Sequence, residues 1–194
     1  VGNEIIAIKY DNIEAVPYCG YRVELNGKWG ILDTLGKEVI QPRYDELKVF
    51  YEKGNHPIFM AKLDKKQGII DGLSGADIIP PKYDKCYNFS DNYHREYAEV
   101  YLDRKYGLVD RKGIEVIPPN YDAINSAMFK GFAKGPIAVK LKGKWGYVDG
   151  SGNVVIPFKY AEADNFWMGN GSARVKIDRK SFYINTKGKK VKRK

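Results

Sequence analysis

One degenerate motif, roughly W-G-[IYLV]-[ILV]-D-x-x-G-x-x-V-I-x-P-x-Y-D, recurs five times, and that recurrence constrains the fold more than any other feature of the chain. Its aromatic-glycine position falls at Trp29-Gly30, Gln67-Gly68, Tyr106-Gly107, Trp145-Gly146 and Ser181-Phe182, at steps of 38, 39, 39 and 36 residues. A period of that length marks a repeat architecture, in which each small unit leaves an apolar face uncovered until the next unit stacks on it. The expected organisation is a single β domain over 1–186, read as half unit, four units and half unit. A basic C-terminal tail over 187–194 follows.

Within a unit, segments such as Val23-Glu24-Leu25, Ala61-Lys62-Leu63 and Val139-Lys140-Leu141 alternate in the period-two pattern of a half-buried strand. Two-residue connections follow at Asn26-Gly27, Asp64-Lys65, Asp103-Arg104, Lys142-Gly143 and Asp178-Arg179. Asn-Gly in that place signals a type I′ hairpin, which needs positive φ at both central residues. The next strand ends at Asp33, Asp71, Asp110, Asp149 or Asn185, and a second turn closes on Gly36, Gly75, Gly113, Gly152 or Gly188. Prolines at 42, 80, 81, 118, 119 and 157 then remove ladder donors, so regular pairing is expected to fail there. A Tyr-Asp pair closes the unit at Tyr44-Asp45, Tyr83-Asp84 and Tyr121-Asp122, with Ala161 replacing Asp after Tyr160. The fold class is all-β. Five units are expected as an open twisted array, the alternative being a closed five-bladed propeller-like ring whose termini pair.

The segments GKWGILDTLGKEVIQPRYDEL (27–47) and GKWGYVDGSGNVVIPFKYAEA (143–163) resemble the WG-repeat family of bacterial proteins. Departures are Gln67 and Tyr106 for Trp, the Ser181-Phe182 copy, and Ala161. The resemblance implies a non-catalytic repeat scaffold, often accessory to other domains or exported proteins, with no general active site to carry over.

Composition narrows the function classes. No apolar run reaches the ~18 residues of a membrane helix, which favours a soluble chain. The sequence carries no signal peptide, and Val1 fits an internal or processed boundary, so cytoplasmic and exported locations are both compatible. Of the +9 net charge, residues 187–194 hold six cations, leaving 27 basic against 24 acidic groups in the body. Two cysteines exclude a disulfide framework, and Cys86 shares the apolar position of Ile13, Leu47, Ile124 and Ala163.

Three surfaces are candidates. Irregular insertions between the Tyr-Asp pair and the next strand should emerge on one edge, and their aromatics suit a protein interface. Tyr51, His56, Tyr93, His94, Phe129, Phe132 and Trp167 are the binding residues so assigned. Phe50, Phe89, Phe129 and Phe166 share a position that reads equally as core. The second candidate is a lysine ladder of Lys28, Lys66, Lys105, Lys144 and Lys180, extended by Lys189, Lys190 and Arg193. It offers a stripe for nucleic acid or another polyanion, with Asp64, Asp103 and Asp178 expected to neutralise part of it. The Tyr and Trp rings are the third, as platforms for a glycan. Trp29 and Trp145 are expected to be the buried stacking core, the following glycine admitting the next unit's backbone. The carboxylates at Asp33, Asp71, Asp110 and Asp149 are expected to fix turns rather than bind calcium. His56 and His94 lack a third metal ligand, so neither metal, cofactor nor catalysis is expected, and oligomeric state is not specified.

Overall fold

In the computed structural model the described residues are 9–51, 54–87, 89, 97–125, 135–166 and 171–192. They form strands joined by turns and loops, with no helix among them. The chain divides into two compact units, Val1–Asp91 and Asn92–Lys194.

The first unit contains β1 (Asn12–Val16), β2 (Gly20–Leu25), β3 (Lys28–Leu32) and β4 (Glu38–Tyr44) as one antiparallel meander. A second meander, β5 (Glu46–Tyr51), β6 (Pro57–Leu63), β7 (Lys66–Asp71) and β8 (Asp77–Tyr83), repeats it, and the short β9 (Lys85–Cys86) follows. The second unit contains β10 (Tyr97–Leu102), β11 (Lys105–Asp110) and β12 (Glu115–Tyr121), then β13 (Ala123–Ile124), β14 (Ile137–Leu141), β15 (Lys144–Val148) and β16 (Val154–Tyr160). Its last sheet is β17 (Glu162–Ala163), β18 (Ser172–Ile177), β19 (Lys180–Asn185) and β20 (Lys190–Val191).

The structural phase differs from the one the hairpin pattern suggested. A sheet begins just after a Tyr-Asp pair and ends at the next tyrosine, so one residue (Asp45 between β4 and β5, Ala161 between β16 and β17) links consecutive sheets. The C-terminal segment read as a half unit completes the last sheet with adjacent chain instead, while the N-terminal one falls largely outside the described residues. Residues 187–191 of the basic stretch belong to that last sheet, since Gly188 N–H donates to the Asn185 carbonyl at 2.8 Å and Lys190 pairs with Ile184.

The fourth strand runs through its proline. Trp29 pairs with Tyr44 and Ile31 with Ile40, so between these pairs the single residue Gly30 on β3 faces three residues, 41–43, on β4, and a bulge absorbs Pro42. The same shift recurs in the other proline-bearing copies. This bulge explains the motif glycine. A Cβ on Gly68 would lie 2.2 Å from the Ile79 carbonyl oxygen, and one on Gly30 would lie 2.5 Å from that of Ile40. The approaching backbone is the same repeat's fourth strand, not that of the next unit as the sequence suggested. In the last copy Phe182 takes the glycine position, and only the two-residue β20 lies alongside.

Within each unit the core lies between consecutive sheets. In the first unit Val16, Ile31, Ile40, Tyr44, Leu47, Phe59, Ala61 and Ile70 pack together. In the second, Tyr147, Ile156, Tyr160, Ala163, Phe166 and Val175 do the same. The buried ring of the motif is the tyrosine: Tyr44, Tyr83 and Tyr160 are each 1% exposed. Trp29 and Trp145 are only half-buried, contrary to expectation, because each sits at the rim of the cluster opposite that tyrosine. The Arg22 guanidinium covers Trp29, its carbon 4.4 Å from the ring centre. Leu47, Cys86, Ile124 and Ala163 are buried as their shared position implies, whereas Ile13 in the first sheet is 44% exposed.

Candidate functional site

The meander gives every sheet two ends. One, the loop end, carries the irregular connection between the first two strands and the Asp-Gly turn before the fourth. The other, the turn end, carries the two-residue hairpin between the second and third strands and the junction that follows the fourth.

At the loop end the carboxylates behave as turn clamps. Asp33 Oδ1 accepts from the backbone N–H groups of Leu35 (2.8 Å) and Lys37 (2.9 Å), Asp110 and Asp149 repeat the pattern, and Asn185 does so with an amide oxygen. Asp71 holds Leu73 and Ser74 in the same way and also meets His56 Nε2 at 2.5 Å. Burial pushes the Asp71 carboxyl up, but its bonds to Ser74 and then His56 outweigh that and leave it below the usual carboxylate value. His56, assigned to an interface, is thus half-buried and committed to a carboxylate. Cys19 Sγ donates to the Gly72 carbonyl at 3.1 Å, joining the loop ends of the first two sheets. Burial, then the Asp71 charge, pushes its thiol up to about 11, and burial pushes Cys86 up to about 12, so neither is a thiolate at neutral pH.

Around this link lie exposed apolar side chains. Tyr18 is 68% exposed, Tyr51 40% and Leu73 51%, and the two tyrosine rings meet edge to face at 6.3 Å. Tyr18 and Leu73 each stand one residue from the Cys19–Gly72 bond, which brings their two segments together. Tyr18 escaped the sequence reading because Pro17-Tyr18-Cys19 has no counterpart in the other copies; its positive φ of 63° is the local sign. Phe89 (3% exposed) and Phe166 (6%) are core, and Phe50 is half-buried, which resolves that shared position. Tyr93, His94, Phe129, Phe132 and Trp167 lie outside the described residues.

In the second unit the loop end is fastened by amides. Asn165 Nδ2 donates to the Asn125 carbonyl at 2.6 Å, its Oδ1 accepts from Ala138 N–H at 3.3 Å, and Asn125 Nδ2 donates to the Ala163 carbonyl at 3.2 Å.

The turn end shows what the lysine ladder does. Lys28 Nζ donates to Asp45 Oδ1 at 2.5 Å, Lys66 Nζ to Asp84 Oδ1 at 2.6 Å, and Lys105 Nζ to Asp122 Oδ1. These hydrogen-bond partners are the Tyr-Asp aspartates; of the turn residues expected from sequence to offset the stripe, Asp64 adds its charge at Lys28. The other oxygen of the same carboxylate caps the following hairpin: Asp45 Oδ2 accepts from Asp64 N–H at 2.9 Å, and Asp122 Oδ2 from Gly143 N–H at 3.1 Å. Asp11, one repeat earlier, caps Asn26 N–H at 2.6 Å. The lysine bond first, and these backbone donors with it, hold Asp45 and Asp122 below the usual carboxylate value. The ladder then breaks. Lys144 and Lys180 are exposed and have no carboxylate partner among the described residues. Lys187, Lys189 and Lys190 are exposed beside them in the chain, Lys190 lying 5.3 Å from the Phe182 ring centre, while Arg193 lies outside the described residues.

An open cleft of about 380 Å³ in the first unit is lined by Val39–Arg43 and Gly75. Its only charged lining residue, Arg43, donates to the Tyr44 hydroxyl at 2.6 Å. Among the described residues no group of three His, Cys, Asp or Glu is arranged for a metal, and no helix could cross a membrane.

Tandem four-stranded meanders joined through single residues define a β-repeat protein. The WG containing repeat matches residues 1–29, 29–66, 68–106, 106–145 and 145–180, and the chain belongs to that family. Comparison with curated proteins and with solved structures returns no match.

Proposed function

We propose that this chain is a non-catalytic repeat scaffold that binds another protein through the loop end of its sheets. The observation that carries this reading is the Tyr18–Tyr51 pair with Leu73. Exposed aromatics packed edge to face beside the Cys19–Gly72 bond present apolar area of the kind that interface anchors use. Ion pairing of Lys28, Lys66 and Lys105 points the same way, since it removes three cations from the stripe a polyanion would need.

The test is capture of partners on the immobilised chain from nuclease-treated native lysate, washed at moderately high salt. A stoichiometric protein lost from the Tyr18→Ala/Tyr51→Ala variant is the expected result. Retention of the same protein by that variant would sink the assignment to this patch.

Polyanion binding stands second, favoured by the exposed Lys144, Lys180, Lys187, Lys189 and Lys190. Five phosphate contacts would give duplex DNA affinity a log–log salt slope of about −4.5, and a slope near zero would exclude it.

A further inference from the structure

The junctions at the turn end share one backbone. The N–H of the linking residue donates to a strand carbonyl in each: Asp11 to Glu24, Asp45 to Lys62, Asp122 to Lys140 at 2.8 Å, and Ala161 to Lys176 at 2.7 Å. Around Asp45 and Asp122 one carboxylate receives a lysine ammonium from the preceding hairpin and an N–H from the following one. At the fourth junction the donors persist while the carboxylate does not. Lys144 occupies the lysine position, and Asp178 begins the next hairpin with the same left-handed conformation (φ 52°) and closing pair, Ile177 with Lys180, as Asp64 has with Leu63 and Lys66. Residue 161 is alanine, and among the described residues neither donor has an acceptor.

We propose that this junction is a receptor for a carboxylate from a partner protein, an acidic side chain taking the place that Asp45 and Asp122 hold in their own repeats. The inference rests on the partner being a protein and adds a contact at the turn end, separate from the Tyr18 patch. The neighbouring charges suit it. Lys142, Arg179 and Lys180, each within two residues of a donor, are exposed. Glu162, the adjacent carboxylate, is engaged by Lys176 Nζ at 2.6 Å, and Arg174 donates to Ser181 Oγ at 3.2 Å. The carboxylate of Asp178 itself is no obstacle, because Asp64 occupies the same turn position where Asp45 binds.

The experiment is titration of the ¹⁵N-labelled chain with end-blocked triaspartate and, separately, with acetate, followed by amide chemical shifts. Triaspartate should move the Asp178 amide saturably, with a Kd on the order of 1 mM, the affinity one carboxylate contact leaves after the costs of binding. The amides of Asn26 and Asp64, already capped by a carboxylate of the chain, should not follow. Ala161→Asp should abolish the response by supplying the group in cis, and Lys144→Ala should weaken binding about two- to fivefold. An Asp178 shift no larger than those of Asn26 and Asp64 would overturn the proposal, as would a full response in Ala161→Asp. Acetate binding as tightly as triaspartate, after allowing for three carboxylates per peptide, would overturn the peptide assignment. Because this titration reads the junction directly, it stands or falls independently of partner capture at the loop end.

Discussion

The Tyr44-Asp45 junction in the first unit and the Tyr160-Ala161 junction in the second start from the same backbone and end with different connections. Both bury a tyrosine at 1% exposure, and both follow a bulged fourth strand packed over a glycine. Asp45 then ties two hairpins together through Lys28 and Asp64, while Ala161 ties none, and the two sheets it links are fastened instead by the Asn125–Asn165 amides at their loop end. The contrast separates two jobs inside one motif. Tyrosine and glycine build the stack; the aspartate joins neighbouring hairpins and can be dropped without losing the sheet.

The largest test addresses what both junctions share. Gly30→Ala should cost about 4 kcal/mol or more, because its Cβ would meet the Ile40 carbonyl at 2.5 Å and the Pro42 nitrogen at 2.7 Å, both backbone atoms. Gly146→Ala should cost about 2 kcal/mol, since its contacts start at 2.8 Å and one is the Phe158 ring, which can move. Urea denaturation of the pair checks the order, and equal losses would refute the bulge as the reason for the glycine. Tyr44→Ala and Tyr160→Ala should each cost about 3–5 kcal/mol, alike in the two units despite the change at the next residue.

Asn165→Ala probes the connection particular to the second unit. It strands the Asn125 carbonyl and the Ala138 N–H, and about 1–3 kcal/mol should be lost. The corresponding residue of the first unit is Val49, which packs at the edge of the core, so Val49→Ala should act only through packing.

Acid distinguishes the junctions more gently. The Asp45 carboxyl lies below its usual value in the fold, chiefly through the Lys28 bond, so its stabilisation is complete at neutral pH. It declines once the pH drops below about 4, where the unfolded chain begins to take up the proton, and is gone below the folded value. Asp45→Ala should lower the melting temperature by a few degrees at pH 7 and by progressively less as the pH falls below about 4. Ala161→Asp should produce the opposite change at pH 7, and it should likewise shrink in acid. A pH-independent effect of either substitution would remove the charge argument.

These comparisons also show which features could be read from the chain. Contacts spanning four residues or fewer were legible, as in Asp33 clamping Leu35 and Lys37, or Asn26-Gly27 forming its hairpin with φ of 52° and 71°. Residue type alone specifies those. The partners of Asp45 were hidden because they lie 17 residues before it and 19 after, a pairing set by the stacking of sheets. The half-burial of Trp29 was hidden for a related reason. Tryptophan is the larger ring and reads as the core, but the register puts it across from Tyr44, and Arg22 from the neighbouring strand covers the face left over.

The smallest effect is the most discriminating, because its sign changes between the junctions. In the hairpin capped by Asp45, both turn residues are left-handed, Asp64 at φ 48° and Lys65 at 67°. A non-glycine residue pays strain there that the carboxylate bond helps offset. In the hairpin after Ala161, Asp178 is left-handed at 52° but Arg179 has no positive φ. Lys65→Gly should therefore stabilise the protein by about 0.5–1 kcal/mol through relief of strain. Arg179→Gly should destabilise it by about 0.4–1 kcal/mol, since glycine there only enlarges the freedom of the unfolded chain. Parallel thermal melts of the two variants measure this directly. Stabilisation by both would mean that the two turns are alike and that the missing aspartate leaves no mark on the backbone beyond it.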